Sequence, residues 1–315
     1  MARGERGVAR VLEKLEASVN AGQYYEAHQM YRTLYFRYLN QKKYGDLLQL
    51  LHSGANILLE CDQQGSGTDL AILLLDVLTK SHIKPCEEWI KKIAQLFAKM
   101  KSNVVERETF LINAVKWSMD KNKRGHPLLH RSIAEVYWQE KKLSTAYRHF
   151  LHSNDGVAFA TKLIELHTTK GFKSEIAMFI AQAVLQILCL KNKEMAHEAF
   201  KTYTRCHPNL HESAPPFPYP LLNFLYLLLK VIDHGDAMKF LMLRKSYYKF
   251  LKRDPRFFGY LDNIGRVWFG ISAPENRRNP NSMLSDVIKS MLGEIDSSDE
   301  DGSKLANKPQ VPDLD

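Results

Sequence analysis

The chain has 315 residues, 45% of them hydrophobic and 25% charged, proportions that exclude a wholly disordered polymer and fit a folded domain. Its net charge of +9 is uneven: residues 273–315 hold nine acidic and five basic side chains, and the whole-chain +9 less this −4 leaves +13 on residues 1–272. A basic body with an acidic end admits nucleic acid or acidic protein as partner, whereas the longest apolar run, residues 221–232, falls short of the roughly twenty residues a membrane span needs.

The first residues are charged and contain no apolar run before a small-residue cleavage site, so no secretory signal is expected. Val8, Val11, Leu12, Leu15 and Val19 recur every three or four residues and predict one stripe of a helix, closed at Asn20-Ala21-Gly22. Tyr24, Ala27, Tyr31, Leu34 and Tyr38 repeat that period in the next segment. A third helix is expected over residues 44–59, ending in a flexible polar loop at 62–68. Thr68 or Asp69 then caps a helix over 70–78, and Pro85 fits the first turn of a helix carrying Trp89, Ile93, Leu96 and Phe97. Helix and short turn go on alternating to about Arg253, with no sustained period-two pattern that would mark a strand.

Ala27/Tyr31, Ala146/Phe150 and Ala196/Phe200 each set a small residue four places before an aromatic ring. The small residue lets two helices approach and the ring fills the gap to the next pair, as in tetratricopeptide repeats. The separations between these pairs are irregular, so the expectation is an all-α, right-handed α-solenoid of degenerate repeat-like helix pairs over residues 1–272, with a globular bundle as the alternative. Residues 207–220 contain five prolines and must form a loop or hinge. Residues 273–315 read as an acidic, mostly disordered tail, apart from a short amphipathic helix over 283–292 built on Met283, Leu284, Val287, Ile288, Met291 and Leu292.

Catalytic signatures do not emerge. The sequence has no glycine-rich phosphate loop and no nucleophile elbow. His126/His130 and His82/Cys86 are spaced by four and Cys206 adjoins His207, but a structural zinc site wants two such clusters at a workable distance. His126, before Pro127, suits capping, and His149 and His152 suit packing against a neighbouring turn. The expectation is therefore no catalytic residue, no cofactor and no metal. Four scattered cysteines fit reduced thiols and a cytosolic address. Two stretches mix cations with aromatics: one from Tyr24 to Tyr44, the other from Arg244 to Phe258. In the first, Arg32 and Arg37 are five residues apart and diverge by more than about 100° on a helix. That divergence favours an acidic protein partner over nucleic acid, since guanidinium forks to carboxylates are strong and directional.

An ordered set of strings is more specific: GQYYEAHQMYRTLYFRYL near the start, HFLHSNDG at 149–156, GFKSEIAMFIAQAVLQILCLKNK at 171–193, PLLNFLYLLLKVID at 220–233 and KRDPRFFGYLDNIGRVWFGI at 252–271. Together, collinear over about residues 7–272, they resemble the Golgi-to-ER traffic protein 4 family, the scaffold for guided entry of tail-anchored proteins. The resemblance implies an α-solenoid whose N-terminal half binds the ATPase that targets tail-anchored proteins to the ER. The C-terminal half would bind a ubiquitin-like subunit in fungi, or a BAG-type scaffold protein in animals. It also implies a place in quality control of mislocalised proteins and in holding the scaffold in the cytosol. The residues expected to touch the ATPase are Tyr25, Arg32 and Arg37, and those expected to touch the BAG-type scaffold are Phe224, Tyr226, Tyr248, Phe257 and Phe258. The competing readings are a helical subunit of another assembly and a basic RNA-binding helical-repeat protein.

Overall fold

The protein is described by a computed structural model over residues 2–120, 123–210 and 214–271; the tail over 273–315, with the helix expected at 283–292, lies outside the described residues. Helices α1 (Ala2–Asn20), α2 (Tyr24–Asn40), α3 (Tyr44–Glu60) and α4 (Gln64–Lys80) follow one another with a fixed turn. Left-handed residues stand at Gly22, Lys42, Asp62 and His82, a step of twenty residues. At each, that residue's N–H bonds to the carbonyl three back and the next N–H to the carbonyl five earlier: Gly22 to Val19, Gln23 to Ser18, Lys42 to Leu39, Lys43 to Tyr38. This is the Schellman closure, which satisfies carbonyls the helix end would leave orphaned.

Helices α5 (Glu87–Lys99), α6 (Glu106–Trp117), α7 (Pro127–Gln139) and α8 (Leu143–Phe150) continue the stack. Even-numbered α2, α4 and α6 pack in one row, and odd-numbered α3, α5 and α7 in the other, the two-layer arrangement of a solenoid. Arg107 of α6 is 1% exposed and donates through both terminal nitrogens to Glu140 just past α7. Its guanidinium lies over the Phe97 ring at 4.2 Å, so a buried ion pair sandwiched by aromatics fastens three helices.

The second half comprises α9 (Gly156–Lys170), a 3₁₀ turn at Lys173–Glu175, α10 (Ile176–Cys189) and α11 (Lys193–Cys206), then α12 (Pro220–His234), α13 (Ala237–Ser246), α14 (Tyr248–Leu251) and α15 (Arg256–Phe269). Helix α10 is apolar nearly all round because it meets α9, α11, α12 and α15. A Cβ on Gly156 would sit 2.7 Å from the Ala199 nitrogen and the Met195 carbonyl, so α9 starts in backbone contact with α11. Ala27, Ala146 and Ala196 are fully buried and Tyr31, Phe150 and Phe200 lie beneath the surface with them, as the repeated pairs predict. Among the described residues every regular element is helical, and the fold is an α-solenoid of degenerate helix pairs.

Two local expectations are corrected. Residues 64–68 are not loop but the first turn of α4, so neither Thr68 nor Asp69 caps it; Thr68 is fully buried and Asp69 faces α2. Pro85 precedes α5, which begins at Glu87 after the extended Cys86.

Candidate partner-binding surfaces

Helix α2 carries its aromatic residues in two sets. Tyr31, Tyr35 and Tyr38 face inward and are buried, and the Tyr35 hydroxyl donates to Asp76 of α4 at 2.5 Å. Tyr25 is 75% exposed and Phe36 56%, and with Arg32 they share one stripe, within about 40° on the helical wheel. Arg32 reaches across to Asp69 at 3.3 Å, a carboxylate already bonded to His28 at 2.8 Å. Tyr25 and Arg32 thus lie on one stripe of α2. Arg37 is exposed but lies about 140° round the helix from Arg32, beside the following turn. Phe36 was not among the residues expected to touch the ATPase, although the stripe of Ala27, Tyr31, Leu34 and Tyr38 already puts it on the opposite side of the helix.

Among the residues expected to meet a scaffold, Phe224 and Phe257 are corrected: at 1% and 0% exposure both are core rings. Phe224 shares its phase on α12 with Leu221, Leu225 and Leu228 and lies 5.5 Å from the Tyr247 ring. Phe257 shares the inner side of α15 with Leu261 and Ile264. Tyr226 and Phe258 are half-buried, and Tyr248 is 55% exposed with its ring 5.3 Å from Phe258. Arg244 stands over Phe258 and pairs with Asp262 at 2.6 Å, which fixes that corner.

The larger apolar surface was not anticipated. Met238, Leu241 and Met242, one turn apart on α13, are 67%, 44% and 63% exposed. Only Phe240 and Leu243 of this helix go inward. The signal was present: AMKFLMLRKS holds more apolar side chains than one buried side of a ten-residue helix can use. Lys239 and Lys245 are exposed on the same helix, and Lys249 and Lys252 on the segment that follows it. Flexible, polarisable methionines on a surface suit an apolar partner of adaptable shape, and the lysines suit an acidic margin.

Elsewhere, burial pushes the Cys189 thiol up to about 11, leaving it a protonated core filler. Among the described residues no group of three His, Cys, Asp or Glu side chains is placed to hold a metal ion, and no helix is long and apolar enough to cross a membrane. His126 accepts from the Leu128 N–H and caps α7, as its place before Pro127 suggests.

The fold and these two surfaces define a helical-repeat protein of the α-solenoid class. The family model for Golgi to ER traffic protein 4 matches residues 41–292. The chain is 44% identical over 305 residues to the Golgi to ER traffic protein 4 homolog of Xenopus tropicalis, covering 96% of this chain and 93% of the relative. To the homolog of Homo sapiens it is 43% identical over 308 residues, covering 98% and 94% respectively. The fold is also that of the crystal structure of C. therm. Get4, with a TM-score of 0.76 at 24% identity over 95% of this chain and all of that one. The chain belongs to the Golgi to ER traffic protein 4 family.

Proposed function

We propose that this protein is a non-catalytic adaptor that brings a BAG-type scaffold complex, with its ubiquitin-like subunit, to the ATPase that targets tail-anchored proteins for ER insertion, working in the cytosol. Quality control of mislocalised proteins and cytosolic retention of the scaffold belong to the same reading. The observation that carries it is that two helices of a family member each expose several large side chains on one side, Tyr25 and Phe36 on α2 and Met238, Leu241 and Met242 on α13, whereas Val105, Val157 and Phe172 are exposed on separate elements. Aromatic and methionine side chains are the residue types interfaces concentrate at their centres. The α2 stripe of Tyr25, Arg32 and Phe36 is the candidate ATPase surface, with Tyr25 as anchor and the Arg32 guanidinium for carboxylates; Arg37, off that stripe, is the second candidate cation for the same partner. The α13 patch, extended by Tyr248 and Phe258, is the candidate scaffold surface.

The test is capture from cytosol on the full chain, with partners quantified by mass spectrometry. Tyr25→Ala/Arg37→Glu should lose the ATPase and keep the scaffold; Met238→Glu/Met242→Glu should do the reverse. Burying an unpaired carboxylate in an apolar contact lowers recovery at least about tenfold. Recoveries within about twofold of wild type for both variants would overturn the two-surface adaptor.

A further inference from the structure

Two clusters of histidines in the middle of the solenoid are bonded ring to ring. In the first, His207 follows α11 and His167 lies near the end of α9; both are 2% exposed. The Asn209 N–H donates to His207 Nδ1 at 3.1 Å, which places the His207 proton on Nε2. That Nε2 donates to His167 Nδ1 at 2.9 Å, so the His167 proton sits on Nε2 and donates to the Phe172 carbonyl at 3.0 Å. Every ring nitrogen is assigned with both imidazoles neutral. An added proton must land on a nitrogen that is already accepting, and it would then face another N–H.

The second cluster repeats this logic between α7 and α8. His130 Nδ1 lies 2.9 Å from His149 Nδ1, so one donates, the other accepts, and a second proton has no place between them. The His152 ring centre is 5.3 Å from that of His130, and Tyr137 stacks on His149. The charged and titratable groups acting on this cluster are His126 at the α7 cap, Arg124 before it and Arg148 on α8, which are cations or become cations on protonation. Around His207 the titratable neighbours are His167 and Tyr203. Among the described residues no carboxylate bonds to these rings: Glu108 accepts from the hydroxyl of Tyr137, the ring stacked on His149, and Glu175 accepts from the N–H of Phe172, whose carbonyl takes the His167 proton, so each carboxylate is one residue removed from an imidazole.

We infer that these histidine clusters form an acid-labile joint in the solenoid, stretching from α7 to the loop after α11, which opens on mild acidification while the α2–α4 stack stays folded. Burial, and then the neighbouring cations and rings, hold His149 down to about 3 and His152 and His207 to about 4, with His130 also well below its ordinary value. An unfolded histidine titrates near about 6.5. The open chain therefore binds protons that the closed joint refuses, and closure weakens as pH falls from about 6.5 toward 4, by up to about tenfold per pH unit for each histidine. The stack holds less of this: its buried His28 faces the Asp69 carboxylate at 2.8 Å, and His52, although lowered by burial and by Lys92 and Lys99, is a single half-buried ring bonded to Asn56 with no second histidine against it among the described residues. An open joint uncouples the α2 and α13 surfaces, which lie on either side of it.

Hydrogen exchange of the full chain, expressed as protection factors at pH 7.5 and 5.5, tests this without any partner. Protection in α7–α9 and α11 should fall at least about tenfold more than in α2–α4. His149→Gln and His207→Gln keep a neutral hydrogen-bonding side chain, and each should reduce the protons taken up on opening by about one. Equal loss of protection in both regions, or an unchanged pH slope in both variants when each is folded at pH 7.5, would overturn the joint. If one variant is unfolded at pH 7.5, the other decides.

Discussion

Helices α1–α4 and helices α12–α15 solve the same problem in different ways. The first four repeat one turn at a fixed step and bury each apolar stripe against the next pair, leaving Tyr25 and Phe36 of α2 as their large exposed rings. The last four vary from four to fifteen residues in length and leave a methionine-rich side of α13 in water. A regular stack covers itself, because each repeat supplies the surface its neighbour lacks. Where the regularity ends, apolar area is left over, and that is where a second protein can be held.

The largest effects should separate core from surface within the irregular end. Phe224→Ala removes a ring at 1% exposure and should cost about 3–5 kcal/mol in a urea titration. Met242→Ala and Tyr248→Ala, at 63% and 55% exposure, should stay within about 0.5 kcal/mol. Equal costs for all three would mean that α13 and α14 are packed as tightly as α12, and the contrast between the two ends would collapse.

A matched pair of glycines sharpens the contrast at smaller amplitude. An alanine methyl at Gly54 of α3 would sit 2.5 Å from the ring of Tyr31, which is 4% exposed and cannot turn away. Gly54→Ala should therefore cost about 1–3 kcal/mol despite the better helix propensity of alanine. At Gly265 of α15 the nearest atom is a Phe240 ring carbon at 3.2 Å, a contact relieved by a small shift. The propensity gain of about 1 kcal/mol offsets that strain, so thermal unfolding of Gly265→Ala should differ from wild type by less than about 1 kcal/mol. A Gly265→Ala loss as large as that of Gly54→Ala would show that both ends are equally tight.

Much of this was legible in the sequence, and the failures have physical causes. The three-to-four-residue period revealed the helices because each buries one stripe, and the alanine–aromatic pairs revealed where helices meet. Residues 62–68 read as a linker because Gly65, Ser66 and Gly67 are linker-like in composition. The structure needs Gly67 for packing: a Cβ there would lie 2.7 Å from the Leu59 side chain and 3.0 Å from its backbone nitrogen. On the C-terminal surface, Phe224 and Tyr248 looked alike as rings near cations. Phe224 goes inward on the phase it shares with Leu221, Leu225 and Leu228 of α12, whereas Tyr248 opens the four-residue α14, of which only Leu251 is buried, and stays in solvent. The fixed step of the first turns was hidden because the left-handed residue is glycine only at Gly22; elsewhere Lys42, Asp62 and His82 occupy it.

That concealed turn supports the smallest prediction, and the one that joins the two ends. Gly235, after α12, is left-handed with the same pair of bonds, its N–H to Ile232 and that of Asp236 to Val231. A non-glycine residue there loses about 1–2 kcal/mol to the clash of its Cβ, while glycine gives back about 0.5–1 kcal/mol in the freedom of the unfolded chain. Lys42→Gly should therefore raise stability by up to about 1 kcal/mol, and Gly235→Lys should lower it by a similar amount. The opposite signs, read from the midpoints of urea unfolding, would mean that one turn is used at both ends and that the difference between them lies in what the helices bury. A loss of stability in Lys42→Gly would assign the lysine side chain a stabilising contact of its own, and the regular stack would then depend on side chains as much as on the backbone closure that repeats along it.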